Sequence, residues 1–149
     1  MKMRSSLAFM FIAACSAPRE PARVPPAQSE AAAPLWLAHQ RIESNAALYE
    51  LHVAPPVASI PDNEPFRLDV WIALASAPHV LCEDISLTVD AAMPEHGHGM
   101  NRVPKLARAD DGHFVVEGLL FHMTGRWELY FDITRGAVTE RAQCEVELK

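Results

Sequence analysis

Long apolar runs are missing from this 149-residue chain. The uninterrupted apolar stretch at residues 7–14 is far short of the ~20 residues a membrane-spanning helix needs. Basic clusters are missing too. Thirteen Lys and Arg face nineteen Asp and Glu, and the net charge is −6. An acidic chain with no Lys/Arg patch is a poor partner for nucleic acid or anionic lipid. There is no Gly-x-Ser-x-Gly elbow, no phosphate-binding glycine loop and no zinc-protease motif, so nothing nominates an enzyme. Neither an internal repeat nor a helical hydrophobic period is present. Cysteine is scarce, at three residues, which leaves little room for a disulfide framework.

What is present begins with an address. Lys2 and Arg4 precede the apolar run Leu-Ala-Phe-Met-Phe-Ile-Ala-Ala, the layout of a secretory signal peptide. The run ends Ile12-Ala13-Ala14-Cys15, which resembles a bacterial lipobox. That resemblance implies cleavage before Cys15, lipid on Cys15 and residence in the bacterial cell envelope, facing the periplasm or exterior. Ser16, rather than Asp, favours the outer membrane. Loss of residues 1–14 would carry off Lys2 and Arg4 and take the net charge from −6 to −8. Contact with the membrane would then rest on the lipid alone, which anchors without spanning. Residues 16–34 are rich in Pro and Ala and nearly free of large apolar side chains. Such a segment buries too little to offset its ordering entropy, and reads as a spacer. The expected organisation is a leader at 1–14, a lipidated cysteine and tether at 15–40, and one domain at 41–149. Leu35-Trp36-Leu37 either docks on that domain or lies loose.

The domain alternates in hydrophobicity. Phe66, Leu68, Val70, Ile72 and Leu74 share one parity, with Arg67 and Asp69 on the other. Period two marks a half-buried strand. Ile85, Leu87 and Val89 repeat the pattern, as do Trp127, Leu129, Phe131 and Ile133, and Ala142, Cys144, Val146 and Leu148. Residues 47–53 and 113–116 are weaker cases. Pro55-Pro56, Pro61-Asp62-Asn63-Glu64-Pro65, Asp110-Asp111-Gly112 and Arg135-Gly136 punctuate the runs. About seven short strands in roughly 100 residues predict an all-β, immunoglobulin-like antiparallel β-sandwich, with a small barrel as its rival. Trp127 and Phe131 read as core.

With Cys15 assigned to lipid, Cys82 and Cys144 remain, and a pair in an oxidising compartment usually bridges. Parity opposes this: Cys144 points inward with Val146 and Leu148, whereas Cys82 has the polar parity of Asp84 and Ser86. The bridge is expected, with a bulge or a later strand start to reconcile the two. A blue-copper role for Cys144 is less fitting, because no His or Met follows it.

The richest chemistry lies in Met93-Pro94-Glu95-His96-Gly97-His98-Gly99-Met100, where the strand from Ile85 runs into a loop. Imidazole and thioether together suit copper better than calcium, magnesium or manganese. His96, His98 and Met100 share parity, so an extended loop turns all three one way. Cu(I) takes thioether and imidazole. Cu(II) would use the histidines with oxygen or backbone nitrogen, and zinc can use His-Gly-His but gains little from Met. The plainer account makes the loop a solvated turn, with Met93 and Met100 as adaptable core fillers. His122-Met123 in Phe121-His122-Met123-Thr124-Gly125-Arg126-Trp127 is a second donor pair, of which a regular strand admits at most one to a shared site. His39, His52, His79 and His113 are scattered and read as surface or structural.

Met93-Pro94-x-His96-x-His98-Gly99-Met100, followed by Phe121-His122-Met123-x-Gly125-x-Trp127-x-Leu129, resembles the YtkA-like domain family and, more distantly, FixH-like proteins. The likeness covers roughly residues 45–148. It implies an immunoglobulin-like domain outside the cytoplasm that takes part in copper handling and haem-copper oxidase assembly, with His96, His98 and Met100 carrying the role. A partner copper enzyme or copper chaperone follows from the same likeness. FixH-like proteins use a transmembrane helix as their anchor, whereas this chain has the lipobox-like cysteine. The rival expectation is a non-metal interaction or structural module of the envelope.

Overall fold

Alternation in the sequence becomes strand where one face can be buried, and ten strands result among the described residues. The computed structural model describes residues 33–149. In chain order the strands are β1 (Gln40–Glu43), β2 (Tyr49–Ala54), β3 (Phe66–Leu74), β4 (Ala77–Leu81), β5 (Ser86–Met93), β6 (His98–Gly99), β7 (Lys105–Arg108), β8 (Phe114–Leu119), β9 (Gly125–Arg135) and β10 (Val138–Leu148). Two short 3-10 turns, Leu35–Ala38 and Val57–Ser59, complete the elements. Among the described residues no helix is long and apolar enough to cross a membrane. The expected leader, Cys15 and most of the tether lie outside the described residues.

Two antiparallel sheets pack as an immunoglobulin-like sandwich. One has the order β1-β2-β3-β8-β7, with β4 also paired to β3; the other has the order β10-β9-β5-β6. The alternating residues of β3 and β9 supply the facing layers. Leu68, Val70, Trp127, Leu129, Phe131 and Ile133 have no exposed surface. Burying each such side chain contributes about 1.5–3 kcal/mol before entropy is counted. Phe121 stacks on Trp127 with centroids 4.6 Å apart and planes 3° apart, closing the core at the end where β9 begins. At the other end Gly136, with φ of 60°, begins the two-residue turn from β9 to β10, a position a tight hairpin reserves for glycine.

One side of the sandwich is closed by polar bonds. Ser44 bridges to Ala142, its hydroxyl donates to Glu140 Oε1 (2.5 Å), and it accepts from the Tyr49 N–H (2.9 Å). The Ala46 N–H also donates to Glu140 Oε1 (3.0 Å). Residues before 41 also pack on the sandwich. Gln40 opens β1, Trp36 packs edge-on against His52 (5.1 Å), and His39 stacks on Trp71 (4.8 Å). Trp71 is stacked from the other side of β3 by His113 (4.7 Å). His39, His52 and His113 are thus structural, as their scatter in the sequence predicts, and His52 is buried rather than superficial.

The expected bridge between Cys82 and Cys144 is absent: both are free thiols. Cys82 donates its N–H to Ile72 O and lies at the end of the sandwich where Arg135 meets Asp84. Cys144 pairs with Leu129. From Leu129 to Arg135 along β9 is about 20 Å at the usual rise per residue, well beyond the ~7 Å Cα separation a disulfide spans. Burial pushes both thiols up, Cys144 to about 11.

Candidate metal centre

The His-rich stretch folds as a hairpin tip. Met93 pairs with His98 and Ala92 with Gly99, and the Met93 carbonyl accepts from the N–H groups of both His96 and Gly97 (3.0 Å each). Gly97 takes φ of 67°, which lets the turn close. Gly99 answers a different need: a Cβ there would stand 2.9 Å from the Ala91 carbonyl oxygen. The Met100 N–H then donates to that same oxygen (3.0 Å).

Directly opposed residues of an antiparallel pair send their side chains to one face, so His98 follows Met93 toward the core. Its ring lies edge-on to Trp127 at 6.0 Å. His122 arrives from the segment between β8 and β9 and lies edge-on to the same indole at 5.5 Å. Trp127 holds the segment in place by donating Nε1–H to the Met123 carbonyl (2.9 Å). The outcome is a row of three imidazoles, two of which, His98 and His122, lie against one indole. His98 stands 5.3 Å from His122 and 5.8 Å from His96, centroid to centroid. His96 is exposed, and the other two are half-buried.

These spacings suit shared ligation. With metal–nitrogen bonds of ~2.0–2.1 Å, a ring centroid sits about 3.2 Å from the ion, so two ligating rings stand about 5.2–6.3 Å apart at angles from tetrahedral to linear. The Nδ1 atom of His122 is buried and has no hydrogen-bond partner, a cost that a ligand would remove. Among the described residues no three His, Cys, Asp or Glu side chains already form a metal-binding group. The exposed turn that carries His96 must therefore adjust for all three rings to reach one ion.

The three methionines among the described residues divide. Met93 is 1 % exposed and fills the core beneath the hairpin, its Cε 3.0 Å from where a Cβ on Gly125 would stand. Met100 packs against the core and lines a groove along β5 with Thr88 and Val89. Met123 is 38 % exposed next to His122. Met1, Met3 and Met10 fall outside the described residues. Trp127, read from sequence as core alone, also forms the floor against which His98 and His122 rest, with Phe121 stacked on it. Arg126 was not singled out by its type or spacing. It ties the hairpin down, reaching Glu95 (3.3 Å) on the turn and Glu145 (3.0 Å) on β10.

Comparison of the chain with family models, with curated proteins and with solved structures finds no match.

Proposed function

We propose that this protein is a lipid-anchored envelope protein that binds copper through His96, His98 and His122, for buffering or for delivery to a copper enzyme such as a haem-copper oxidase. The observation that carries the reading is the row of three rings, brought together from two separate segments at 5.3 and 5.8 Å. Three imidazoles suit Cu(II) or zinc, and Met123 beside His122 offers the soft sulfur that Cu(I) prefers. The YtkA-like pattern of the His/Met loop supports the same ion. Membrane attachment through lipid on Cys15 belongs to this proposal.

The test is a Cu(I) competition titration against a chromogenic chelator under anaerobic reducing conditions, repeated with Cu(II). The wild-type chain is expected to hold one equivalent. Binding should be lost in the His96→Ala/His98→Ala variant and weakened at least tenfold in His122→Ala, with circular dichroism unchanged. Affinity that survives all three substitutions would sink the proposal and leave a non-metal interaction module in its place.

A further inference from the structure

The sandwich is closed on one side and open on the other. On the open side β6 covers only Ala92 and Met93 of β5. The next contact is the Met100 N–H on the Ala91 carbonyl, which shows that odd-numbered residues of β5 direct their backbone toward this edge. The Ala91 N–H is taken by Asp90 Oδ1 (2.8 Å). Leu87 and Val89 come next, and among the described residues no strand pairs with them on this side. The chain swings away at residues 101–104, leaving a groove of about 400 Å³ between that loop and residues 88–90. The edge of the other sheet, β7, lies along the same side, and Arg108 reaches from it to the carbonyls of Cys82 (3.1 Å) and Ile85 (3.2 Å).

The charge on this side is unlike the rest of the described unit. Arg41, Arg67, Arg126, Arg135 and Arg141 each form an ion pair with a carboxylate. Arg102, Lys105 and Arg108 form none among the described residues, and all three lie on or beside the open edge. The carboxylates nearby are few: Asp90 accepts from the Ala91 N–H, and Glu117, across from Lys105 in the register, stands 4.0 Å from Arg67. Among the described residues, the basic side chains without an ion pair, the C-terminal Lys149 apart, thus lie along one unpaired strand edge.

We infer that the β5 edge is a docking site for an extended acidic segment of a partner protein, which adds as a strand beside Leu87 and Val89 and meets Arg102 and Lys105. Backbone pairing at an exposed edge supplies the affinity, and the basic groups select the partner's charge. The half-exposed Leu106 and the fully projecting Val103 call for apolar residues at alternate positions of the incoming strand. The inference is independent of metal binding.

The probe is a fluorescein-labelled octapeptide of alternating Glu and Val, titrated by anisotropy against the full-length chain in non-ionic detergent, beside its Lys/Val counterpart. The Glu/Val peptide is expected to bind, to weaken with added salt, and to slow amide exchange at Leu87 and Val89. Arg102→Glu/Lys105→Glu should weaken it about tenfold or more, while Arg41→Gln on the opposite side of the sheet leaves it unchanged. Three results would overturn the inference: no binding, equal binding of the Lys/Val peptide, or binding that leaves those two amides exchanging freely. A salt-sensitive dimer that protects the same amides without peptide would replace the partner with a second copy of the chain.

Discussion

At the scale of single residues, glycine and cysteine carry the sharpest consequences. Gly99 is fixed by contact: its missing Cβ is what allows the Ala91 carbonyl to come close. Gly99→Ala is expected to cost about 1–3 kcal/mol, the usual range for overpacking, read as a lower urea midpoint. Cys144 is governed by burial, which raises its thiol from 9.0 to about 11. The folded state therefore holds the proton more tightly than the unfolded chain. Its contribution is fully present below pH 9 and is lost as pH rises through about 11. Urea midpoints of the wild type should fall over that interval more than those of Cys144→Ala. The opposite parity of Cys82 and Cys144 counts against the disulfide only if one strand runs from Cys82 through Ser86. The later strand start that reconciles them does occur, since β5 begins only at Ser86 and Cys82 is buried, yet separation along the sheet keeps the two thiols apart. The histidines show the converse limit. Parity placed His96 and His98 together, but only the tertiary fold brings His122 beside them, because the two segments meet over the buried face of Trp127.

At the scale of elements, legibility followed length and burial. The span of β3, Phe66–Leu74, is the run that alternation marks, since nine residues with a clear inner face leave no other register. The expected run at residues 142–148 grows backward to Val138, because the β9–β10 hairpin pairs as far as its turn. β6 and β7 were invisible: His98–Gly99 is two residues long, and Lys-Leu-Ala-Arg has no apolar face to read. β1 was equally hidden, and its role is to lead the chain into the bond network around Ser44. That network joins the two sheets, and Ser44→Ala would leave the Tyr49 N–H and Glu140 short of a partner. The expected loss is about 1–3 kcal/mol, checked by thermal unfolding with Ser44→Thr as a control that keeps the hydroxyl. The Arg126 clasp belongs to this scale as well. Arg126→Gln is expected to free the hairpin tip and raise amide exchange at His96 and Gly97, while exchange in β3 stays unchanged.

At the scale of the whole molecule, the all-β sandwich was readable from periodicity and turn residues alone, and the strand total was undercounted because edge strands are short. Trp36 and His39 gain their meaning only from His52 and Trp71 across the sheet. A chain starting at Ala32 should match the full protein in urea midpoint. One starting at Arg41 should be less stable by about 1–3 kcal/mol, the worth of two lost aromatic contacts. The three tryptophans then acquire a use beyond packing. Trp36 and Trp71 sit on the outer face of one sheet, whereas Trp127 lies within 6.0 Å of His98 and 5.5 Å of His122. The indole under the rings is a fluorophore mounted at the candidate site, and the other two are internal standards remote from it. In Trp36→Phe/Trp71→Phe the remaining emission reports on one place only, so a paramagnetic ion settling among the imidazoles would darken the protein without any added label.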